Sequence, residues 1–285
     1  MNALSAAPSS MQTPTAEPAL RLGVFDSGFG GLSVLRALRG TLPQASVTYV
    51  ADSGHAPYGE RGEAFVLERS SRIARHLFEE HGAQLLVVAC NTATAAAVHE
   101  LRARWPHRPI VGVEPGLKPA VEASRRGVVG VMATPGTLRS DKFQRLLDTH
   151  GGRARVHLQP CPGLAAAIER GQLDDPALIA LVQGFCEPLR ALGVDTVVLG
   201  CTHYAFVAHH IAAALGPSVE IIDTAQAVAR RARHLAEGME SPPASSSIAE
   251  YEGRPRLLTT GDPDLLADVA ARWLGLQADV ERCAI

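Results

Sequence analysis

The stretch Leu85–Ala97, with the sequence LLVVACNTATAAA, decides the fold together with Thr196–Val207, which reads TVVLGCTHYAFV. Both stretches begin with an apolar run of strand length, which a small residue, a cysteine and several polar residues follow. Short apolar runs with such boundaries are typical of buried strands in parallel sheets. We therefore predict that Cys90 and Cys201 each follow the carboxyl end of a buried strand.

These two stretches belong to a longer internal similarity. Cys90 and Cys201 lie 111 positions apart (201 − 90), and LGVFDSGFGG at Leu22–Gly31 resembles VGVMATPGT at Val129–Thr137 with a shift of 107 positions (129 − 22). Two loops that recur with nearly the same shift predict two similar domains. The cysteines would then approach a shared cleft from opposite sides.

The rest of the chain alternates short apolar runs with longer amphipathic stretches, which is typical of βαβ units and a mainly parallel sheet. Predicted strands are Leu22–Phe25, Ser46–Ala51, Leu85–Ala89, Ile110–Val113, Val128–Ala133, Arg155–Leu158, Thr196–Gly200, Val219–Asp223 and Arg256–Thr260. Predicted helices are Gly31–Arg39, Glu63–Glu80, Thr92–Arg104, Pro135–Thr149, Pro176–Leu192, Ala225–Glu237 and Pro263–Leu274. The predicted fold class is α/β with two similar parallel-sheet domains. Residues 21–113 and 224–285 form the first domain, which contains an exposed loop at 240–249, and residues 114–223 form the second. A disordered tail at 1–20 precedes them.

Composition excludes several classes of protein. The chain has 285 residues, 46% of them hydrophobic and 20% charged, with a formal net charge of −2 and no long run of Lys and Arg. We therefore expect no nucleic-acid partner. We also expect no membrane partner, because no apolar run approaches the roughly 18 residues that a spanning helix needs. Five widely spaced cysteines are not a disulfide framework, and no secretory signal precedes them, so we expect a cytoplasmic location.

Polar clusters follow most of the predicted strands. They are Asp26-Ser27-Gly28, Asp52-Ser53, Pro57-Tyr58-Gly59, Cys90-Asn91-Thr92, Thr134–Thr137 and Cys201-Thr202-His203. In open parallel sheets, ligands bind beyond the carboxyl ends of the strands, where such loops converge. The sequence therefore predicts one ligand site built from these loops.

Two of the five cysteines stand where a thiol can do acid–base chemistry. Cys90 and Cys201 each precede hydroxyl or amide residues at a strand-to-helix turn, and a helix N-terminus favours a thiolate and lowers its pKa. We therefore expect these two thiols to titrate closer to neutral pH than an ordinary cysteine. Cys161, Cys186 and Cys283 lack this setting and are expected to be structural.

A pair of such thiols favours proton transfer over the other reactions of cysteine. A metal site is not expected, because Cys201 and His203 alone offer too few ligands, and a redox pair would show a CxxC motif. Acyl transfer would leave one thiol unused. In proton transfer, one thiolate removes an α-proton from one face of an amino acid and the opposing thiol protonates the other face. The residues thus predict an amino-acid racemase that needs no cofactor.

Such a reaction needs donors that stabilise the negative charge on the α-carbon. The available side chains are Ser27, Asn91, Thr92, Thr134, Thr137 and Thr202. Asp26 is expected to accept from the substrate ammonium or to tune Cys90, with a helix cap as its alternative role, and His203 is expected to tune Cys201. Tyr58 and Gly59 are expected to close over the substrate, with a plain surface turn as the alternative.

Two other functions fit parts of the pattern. Gly28-Phe29-Gly30-Gly31 opens a helix after a strand, as in dinucleotide-binding dehydrogenases, but its spacing is not GxGxxG. A two-lobed binding protein for an acidic amino acid explains two halves but not two matched cysteines. Solvent deuterium exchange at the α-carbon distinguishes a racemase from such a binding protein.

Six motifs in order also resemble the glutamate racemases. They are DSGFGGLSV (Asp26–Val34), YVADSGHAPYGER (Tyr49–Arg61), ACNTATA (Ala89–Ala95), GVEPGLKPA (Gly112–Ala120), ATPGTLRS (Ala133–Ser140) and LGCTHY (Leu199–Tyr204). The resemblance implies two flavodoxin-like domains with the active site in the cleft between them. It implies interconversion of L- and D-glutamate without pyridoxal phosphate or any metal, which supplies D-glutamate for bacterial peptidoglycan. Family members are often dimers, so it also implies a homodimer. Aspartate racemase is the alternative, but its flanking motifs differ from PYG and CTHY.

The resemblance also assigns roles to single residues. Cys90 corresponds to the base for D-glutamate and Cys201 to the base for L-glutamate. Glu169, in the sequence AIERG, falls where the family often has a supporting acid, and Ala205 departs from the proline that commonly follows CTHY. Substrate-contacting positions fall on Asp26, Ser27, Tyr58, Gly59, Asn91, Thr92, Thr134, Thr137, Thr202 and His203.

Overall fold

The computed structural model of the chain describes residues 20–239 and 254–285. The predicted tail, apart from Leu20, and the predicted loop at 240–249 lie outside these residues. Ten strands are present in the described part: β1 (Arg21–Asp26), β2 (Ser46–Ala51), β3 (Leu85–Val88), β4 (Ile110–Gly112), β5 (Val128–Ala133), β6 (Arg155–Pro160), β7 (Thr196–Gly200), β8 (Glu220–Ile222), β9 (Arg256–Thr259) and β10 (Val280–Arg282).

These strands form two sheets in which every neighbouring pair is parallel. The first sheet has the order β10-β9-β2-β1-β3-β4, and the second has the order β6-β5-β7-β8. The first four strands of each half therefore share one order, 2-1-3-4, which is the flavodoxin-like arrangement. The predicted α/β class with two similar parallel sheets is confirmed, whereas the exact domain boundaries stay a prediction.

The helices lie between the strands in sequence, as the crossovers of parallel sheets require. The described helices are α1 (Leu32–Thr41), α2 (Glu63–Arg75), α3 (Asn91–Arg104), α4 (Leu117–Ala123), α5 (Pro135–Arg139), α6 (Asp141–His150), α7 (Leu164–Glu169), α8 (Pro176–Ala191), α9 (Ala208–Leu215), α10 (Ala225–Glu237) and α11 (Pro263–Leu274). In the part of the chain with described structure, no helix has the length and apolar character to cross a membrane.

The central strands are apolar because both of their faces are covered. Every residue of β3 and of β5 is buried, which explains their nearly continuous runs of Leu, Val and Ala. One hydrophobic cluster contains Val24 and Val87 of the first sheet together with Met132 and Leu199 of the second. The two sheets thus share packed core residues, and the carboxyl ends of their central strands carry the polar loops.

Two predicted helices differ from the structure. The stretch predicted as one helix over Pro135–Thr149 is two helices, because Ser140 has an extended backbone and its hydroxyl accepts from the Phe143 N–H to cap α6. The helix predicted over Glu63–Glu80 is α-helical only to Arg75 and continues as a π-helical turn at His76–Glu80. A side-chain cap and a change of hydrogen-bond register inside a helix leave the apolar periodicity nearly intact, which is why the sequence pattern does not reveal them.

Candidate active site

Cys90 lies at the junction of β3 and α3. Its backbone is extended, with φ −134° and ψ 124°, and it occupies the N-cap position of α3, where its sulfur accepts a hydrogen bond from the Ala93 N–H at 3.4 Å. The side chain is only 5% exposed. The strand thus delivers the thiol to the first turn of the helix, as the sequence predicts.

Cys201 occupies the corresponding place in the second sheet. It follows β7 with an extended backbone, φ −145° and ψ 134°, and precedes a 3₁₀-helical turn at Thr202–Val207. The thiol is 8% exposed, and its sulfur lies 3.8 Å from Nδ1 of His203. The two cysteines therefore have the same local setting, one in each half of the molecule.

Asp26 connects the surroundings of the two thiols. Its Oδ1 accepts from the Gly28 N–H at 2.8 Å and from the Ser27 hydroxyl at 3.4 Å, and that hydroxyl lies 3.7 Å from the sulfur of Cys90. Its Oδ2 accepts from the hydroxyl of Thr202 at 2.8 Å, next to Cys201 in the chain. One fully buried carboxylate thus bonds to residues of both halves.

Three threonine hydroxyls form a second connection between the halves. Thr92 in α3 lies 3.1 Å from Thr134 and 3.3 Å from Thr137, which in turn are 3.0 Å apart, measured between hydroxyl oxygens. Gly59 packs beside them, because a Cβ at that glycine would lie 2.6 Å from the side chain of Thr134. Only glycine fits this close approach between the loop after β2 and the start of α5.

Glu169, at the end of α7, holds His203 from the side opposite Cys201. Its Oε2 lies 2.6 Å from Nε2 of His203, and its Oε1 accepts from the Ser53 hydroxyl at 2.6 Å. The Phe29 N–H also donates to the Glu169 carboxylate, and a Cβ at Gly28 would lie 2.3 Å from it. The glycine loop after β1 therefore binds the carboxylate of Glu169. In a dinucleotide-binding protein, the corresponding loop would bind a phosphate.

Tyr58 reaches the site through its ring and not through its hydroxyl. The ring belongs to the buried cluster that contains Cys90, while the hydroxyl donates to the carboxylate of Asp52. Asp52 also accepts from Arg69 through two nitrogens, at 2.7 and 3.0 Å, and from the Thr260 hydroxyl at 2.8 Å. This network fixes the loop at 57–59 from behind.

The expectation that a helix N-terminus lowers the pKa of both thiols is wrong for Cys90. Burial raises the pKa of Cys90 to about 12, and the charge of Asp26 raises it further, whereas the Ala93 N–H opposes them. Desolvation of a buried anion outweighs one backbone donor. Cys90 is therefore a thiol at neutral pH in this state of the protein. The charge of Cys201 is among the causes that raise the pKa, so the two sulfurs interact electrostatically.

Asp26 and His203 also have perturbed pKa values. Burial raises the pKa of Asp26 to about 6, against the lowering effects of His203, Gly28 and Thr202. Burial lowers the pKa of His203, but the hydrogen bonds that its ring donates to Cys201 and Glu169 outweigh it, and the pKa is raised well above 6.5. A protonated His203 donates one N–H to Glu169 and the other to the sulfur of Cys201, which stabilises negative charge on that sulfur.

The site offers one donor that the described residues leave unused. Asn91 is 4% exposed, and its Nδ2 has no hydrogen-bond partner among the described residues, which is costly for a buried amide unless a ligand accepts from it. Asn91 lines a cavity of about 10 Å³ together with Cys201 and Thr202. That volume is about the minimum for one water molecule. Asn91 also lines a cavity of about 240 Å³, together with Thr137 and residues of α6.

The structure brings the predicted site residues together, with two qualifications. Of the predicted set, the residues bonded around the two cysteines are Asp26, Ser27, Thr202 and His203. Thr92, Thr134 and Thr137 form a separate hydroxyl network, Asn91 lines a cavity with Cys201, Tyr58 contributes its ring, and Gly59 contributes its close backbone contact. The residues that sequence reasoning underrated are Glu169, Ser53 and Asp52. Ser53 and Asp52 stand in a predicted loop, but nothing in their spacing reveals which carboxylate or hydroxyl they meet.

This arrangement can move a proton at two places. A thiol sits beside Ser27 and Asp26 in one half, and a sulfur sits beside a protonated imidazole in the other. Neutral amide and hydroxyl donors adjoin both cysteines in the chain, Asn91 and Thr92 after Cys90 and Thr202 after Cys201, and the Asp26 carboxylate connects the two halves.

Comparisons with known proteins agree with this chemistry. The family model described as Asp/Glu/Hydantoin racemase matches residues 32–232. The chain is 50% identical over 262 residues to glutamate racemase of Ectopseudomonas mendocina, covering 91% of this chain and 96% of that protein. It is 47% identical to glutamate racemase of Stutzerimonas stutzeri, covering 93% of this chain and 98% of that protein.

Solved structures give the same result. Glutamate racemase of Escherichia coli, in complex with L-glutamate and the activator UDP-MurNAc-Ala, is similar with a TM-score of 0.82 and 30% identity over 94% of this chain and 99% of that one. A glutamate racemase isoform of Bacillus anthracis is similar with a TM-score of 0.80 and 31% identity over 94% of this chain and 98% of that one. From its two parallel sheets, its matched cysteines and these relatives, the chain belongs to the Asp/Glu/Hydantoin racemase family, within the glutamate racemases.

Proposed function

We propose that this protein is a glutamate racemase that interconverts L- and D-glutamate by proton transfer between Cys90, Cys201 and the α-carbon, without a cofactor. The observation that carries the proposal is the pair of buried thiols in equivalent positions of two similar halves. Identity of 47–50% with glutamate racemases over more than nine-tenths of the chain supports the choice of glutamate over aspartate.

The reaction needs one proton removed and one proton added on opposite faces of the same carbon. With L-glutamate, the Cys201 thiolate takes the α-proton and becomes a thiol, and the electron pair stays on the substrate as a carbanion. The Cys90 thiol then protonates the opposite face and becomes a thiolate, which gives D-glutamate. With D-glutamate, the two residues exchange these roles.

The protonation of Cys90 and of His203 in the free protein suits the first of these directions. Cys90, whose pKa is raised to about 12, holds the proton that it must deliver. Cys201 lies beside His203, whose raised pKa keeps the imidazole protonated and the sulfur in a favourable positive field. Catalysis further needs a substrate positioned between the sulfurs.

Neutral donors and a separation of the halves supply the rest of the mechanism. The unpartnered Nδ2 of Asn91 and the hydroxyls of Thr92 and Thr202 are suited to the substrate carboxylate, which takes up charge as the carbanion forms. Cys90 and Cys201 are only 5% and 8% exposed in the structure. We therefore propose that the halves open to bind substrate and close to exclude water.

The biological role that we propose is the supply of D-glutamate for peptidoglycan. The homodimer and the cytoplasmic location stay predictions. Gel filtration with light scattering checks the first, and fractionation of cells that express the chain checks the second.

Solvent exchange tests the proposed reaction. The reduced protein in deuterated buffer with L-glutamate and no added cofactor should place deuterium at the α-carbon and bring the optical rotation to zero. Glutamate binding without exchange would point to a binding protein, and exchange with aspartate but not glutamate would point to the related specificity. Either result contradicts the proposal.

Variants of the two thiols test the assignment of residues. Cys90→Ser and Cys201→Ser should each lower the rate of racemisation by a factor on the order of 10³ or more, since general acid–base groups contribute about 10²–10⁴-fold. Cys283→Ser is the matched control, because Cys283 lies outside these networks and half-buried, and it should keep the full rate. Near-normal turnover in either active-site variant would refute the pairing of thiols.

A further inference from the structure

A group of metal-ligating side chains lies outside the thiol site. Asp174 precedes α8, and His209 and His210 stand in the first turn of α9. The ligand atoms of these three residues all lie within 4.8 Å of one another. We call them the Asp174–His209–His210 cluster, and the proposed racemase reaction does not use them.

The distances in this cluster fit ion pairs and are also close to those between the ligands of one metal ion. Oδ1 of Asp174 lies 3.3 Å from Nε2 of His210 and 3.8 Å from Nε2 of His209. In a tetrahedral site with bonds of about 2.0–2.2 Å, neighbouring ligand atoms lie roughly 3.3–3.5 Å apart, which follows from that geometry. Small rotations of exposed side chains are enough to reach it.

The backbone directs both imidazoles to the same side. The two rings belong to consecutive residues, yet their centroids are 3.8 Å apart and both Nε2 atoms face one carboxylate oxygen. The side chain of His210 is only 16% exposed, and its Nε2 also lies 3.1 Å from the carbonyl oxygen of Leu173, a hydrogen bond that a metal ion on Nε2 would replace. His209 and Asp174 are exposed and free to adjust.

The acid next to Asp174 has a different task. Asp175 is the N-cap of α8, and its Oδ1 accepts from the Ala177 N–H at 2.8 Å. The helix start is therefore already capped, and the carboxylate of Asp174 is turned to the two imidazoles. Asp175 thus binds the backbone of α8, whereas the neighbouring Asp174 contacts the two imidazoles.

The ligand set selects the class of metal. Two imidazoles and one carboxylate suit Zn²⁺ and its neighbours Co²⁺, Ni²⁺ and Cu²⁺, whereas Ca²⁺ and Mg²⁺ prefer sets made of oxygen alone. Three protein ligands leave a coordination position for water. We propose that the Asp174–His209–His210 cluster binds one divalent cation of the zinc class.

A metal at this position would connect two segments that also meet in the thiol site. Asp174 lies five residues after Glu169, and His209 lies six residues after His203. Glu169 and His203 bond directly at 2.6 Å, so the metal would hold the same two segments together a second time. Metal binding should therefore raise the melting temperature of the protein.

Titration of the untagged full-length protein with Co²⁺ and Zn²⁺ tests the proposal. The expected result is one equivalent of bound metal, with a Co²⁺ spectrum of nitrogen and oxygen ligation that lacks the charge-transfer band of cobalt–thiolate bonds. His210→Ala and Asp174→Ala should each weaken binding at least tenfold and abolish the rise in melting temperature. His234→Ala, an exposed histidine on α10, is the matched control and should bind as the unaltered protein does.

The thiols of Cys90 and Cys201 are alternative ligands for the metal, so a variant that lacks both thiols is also titrated. The double variant Cys90→Ser, Cys201→Ser should keep the metal with unchanged affinity, whether or not the proposed racemase reaction is correct. Loss of the metal in that variant, or unchanged affinity in His210→Ala, would overturn the proposal. So would the lack of any binding to the full-length protein.

Discussion

Asp26 is a buried carboxylate whose negative charge lowers the stability of the folded protein. Its oxygens are fully engaged by Gly28, Ser27 and Thr202, yet burial still raises its pKa to about 6. The ionised form is therefore less favourable in the folded protein than in the unfolded chain. The residue keeps a charge near Cys90 at a cost to folding, which is common at functional sites.

Replacement of Asp26 by Asn should stabilise the protein in a manner that depends on pH. Since folding raises the pKa from 3.8 to about 6, the folded state binds the extra proton between these values, and the stability from Asp26 is lost as the pH rises from 4 to 6. The shift of about 2 units corresponds to about 3 kcal/mol. Asp26→Asn should thus gain about 1–3 kcal/mol at pH 7 and nothing at pH 4, measured by urea unfolding. A gain that is equal at both pH values would contradict this origin.

Glu169 acts through His203, and its removal should show in a pH profile. Its carboxylate is one of the groups that raise the pKa of His203, against the lowering effect of burial. In Glu169→Gln the imidazole should lose its proton at lower pH, so the alkaline limb of kcat/KM should move toward acid. Glu187→Gln, an exposed residue paired with Arg190, is the control. An alkaline limb that stays in place would show that Glu169 only fills space.

At the scale of elements, the loop at 57–59 and the start of α5 are fitted to each other. Gly59 lies against Thr134, and a Cβ at Gly136 would lie 2.8 Å from the carbonyl oxygen of Gly59. Asp52 and Arg69 hold the loop from the other side through Tyr58. The contact is therefore formed by backbone and cannot yield by rotation of a side chain.

Gly59→Ala should separate these two elements. The added methyl group would overlap with Thr134 and displace the Thr92–Thr134–Thr137 hydroxyls, so we expect KM for glutamate to rise at least tenfold and stability to fall by about 1–3 kcal/mol. Gly62→Ala in the same segment is the control, because its Cβ would meet no atom within 4 Å and its φ of −67° suits alanine. Equal kinetics of the two variants would show that the contact is dispensable.

Sequence patterns predict the helices and strands more readily than they predict the contacts between them. Strands β2, β5 and β7 match their predicted bounds because apolar runs with polar ends mark them clearly. The patterns miss β10, which has three residues and is largely exposed, and α7, whose six residues are too few to show a period. Glu169 stands at the end of α7. The contact between Glu169 and His203 therefore depends on a helix that the apolar periodicity does not predict.

Among the site residues, too, the sequence predicts which residues take part but not their interactions. Residue types at strand ends indicate Cys90, Cys201 and the hydroxyls around them before any coordinates are known. The raised pKa of Cys90 could not be predicted, since it depends on how completely the thiol is buried and on the distance to Asp26. The local sequence indicates that Cys90 stands at a helix N-terminus. It does not indicate the burial, whose effect on the pKa of the thiol outweighs that of the helix.

At the scale of the whole molecule, the substrate should join two halves that already share hydrogen bonds. The bond from Thr202 to Asp26 and the contacts from Thr92 to Thr134 and Thr137 connect them in the structure. A glutamate bound between Cys90 and Cys201 would add contacts to both sides. The two halves should therefore respond to substrate as one unit.

Thermal unfolding checks this coupling. Glutamate at 100 times its Kd should stabilise the folded protein by about 2.7 kcal/mol and raise the Tm by several degrees in a single transition. A ligand that binds only one half would instead split the unfolding into two transitions and shift one of them. That outcome would contradict a site made jointly by both halves. The test is differential scanning calorimetry with D-glutamate and L-glutamate in parallel.

The enclosure of the sulfurs also determines how the enzyme meets oxidants. At 5% and 8% exposure, Cys90 and Cys201 are accessible only to small reagents, and the proton retained by Cys90 removes the reactive thiolate form. A bulky disulfide such as oxidised glutathione should therefore modify them far more slowly than it modifies an exposed cysteine. A molecule that keeps two thiols ready for catalysis thereby also shields them from the ordinary chemistry of thiols.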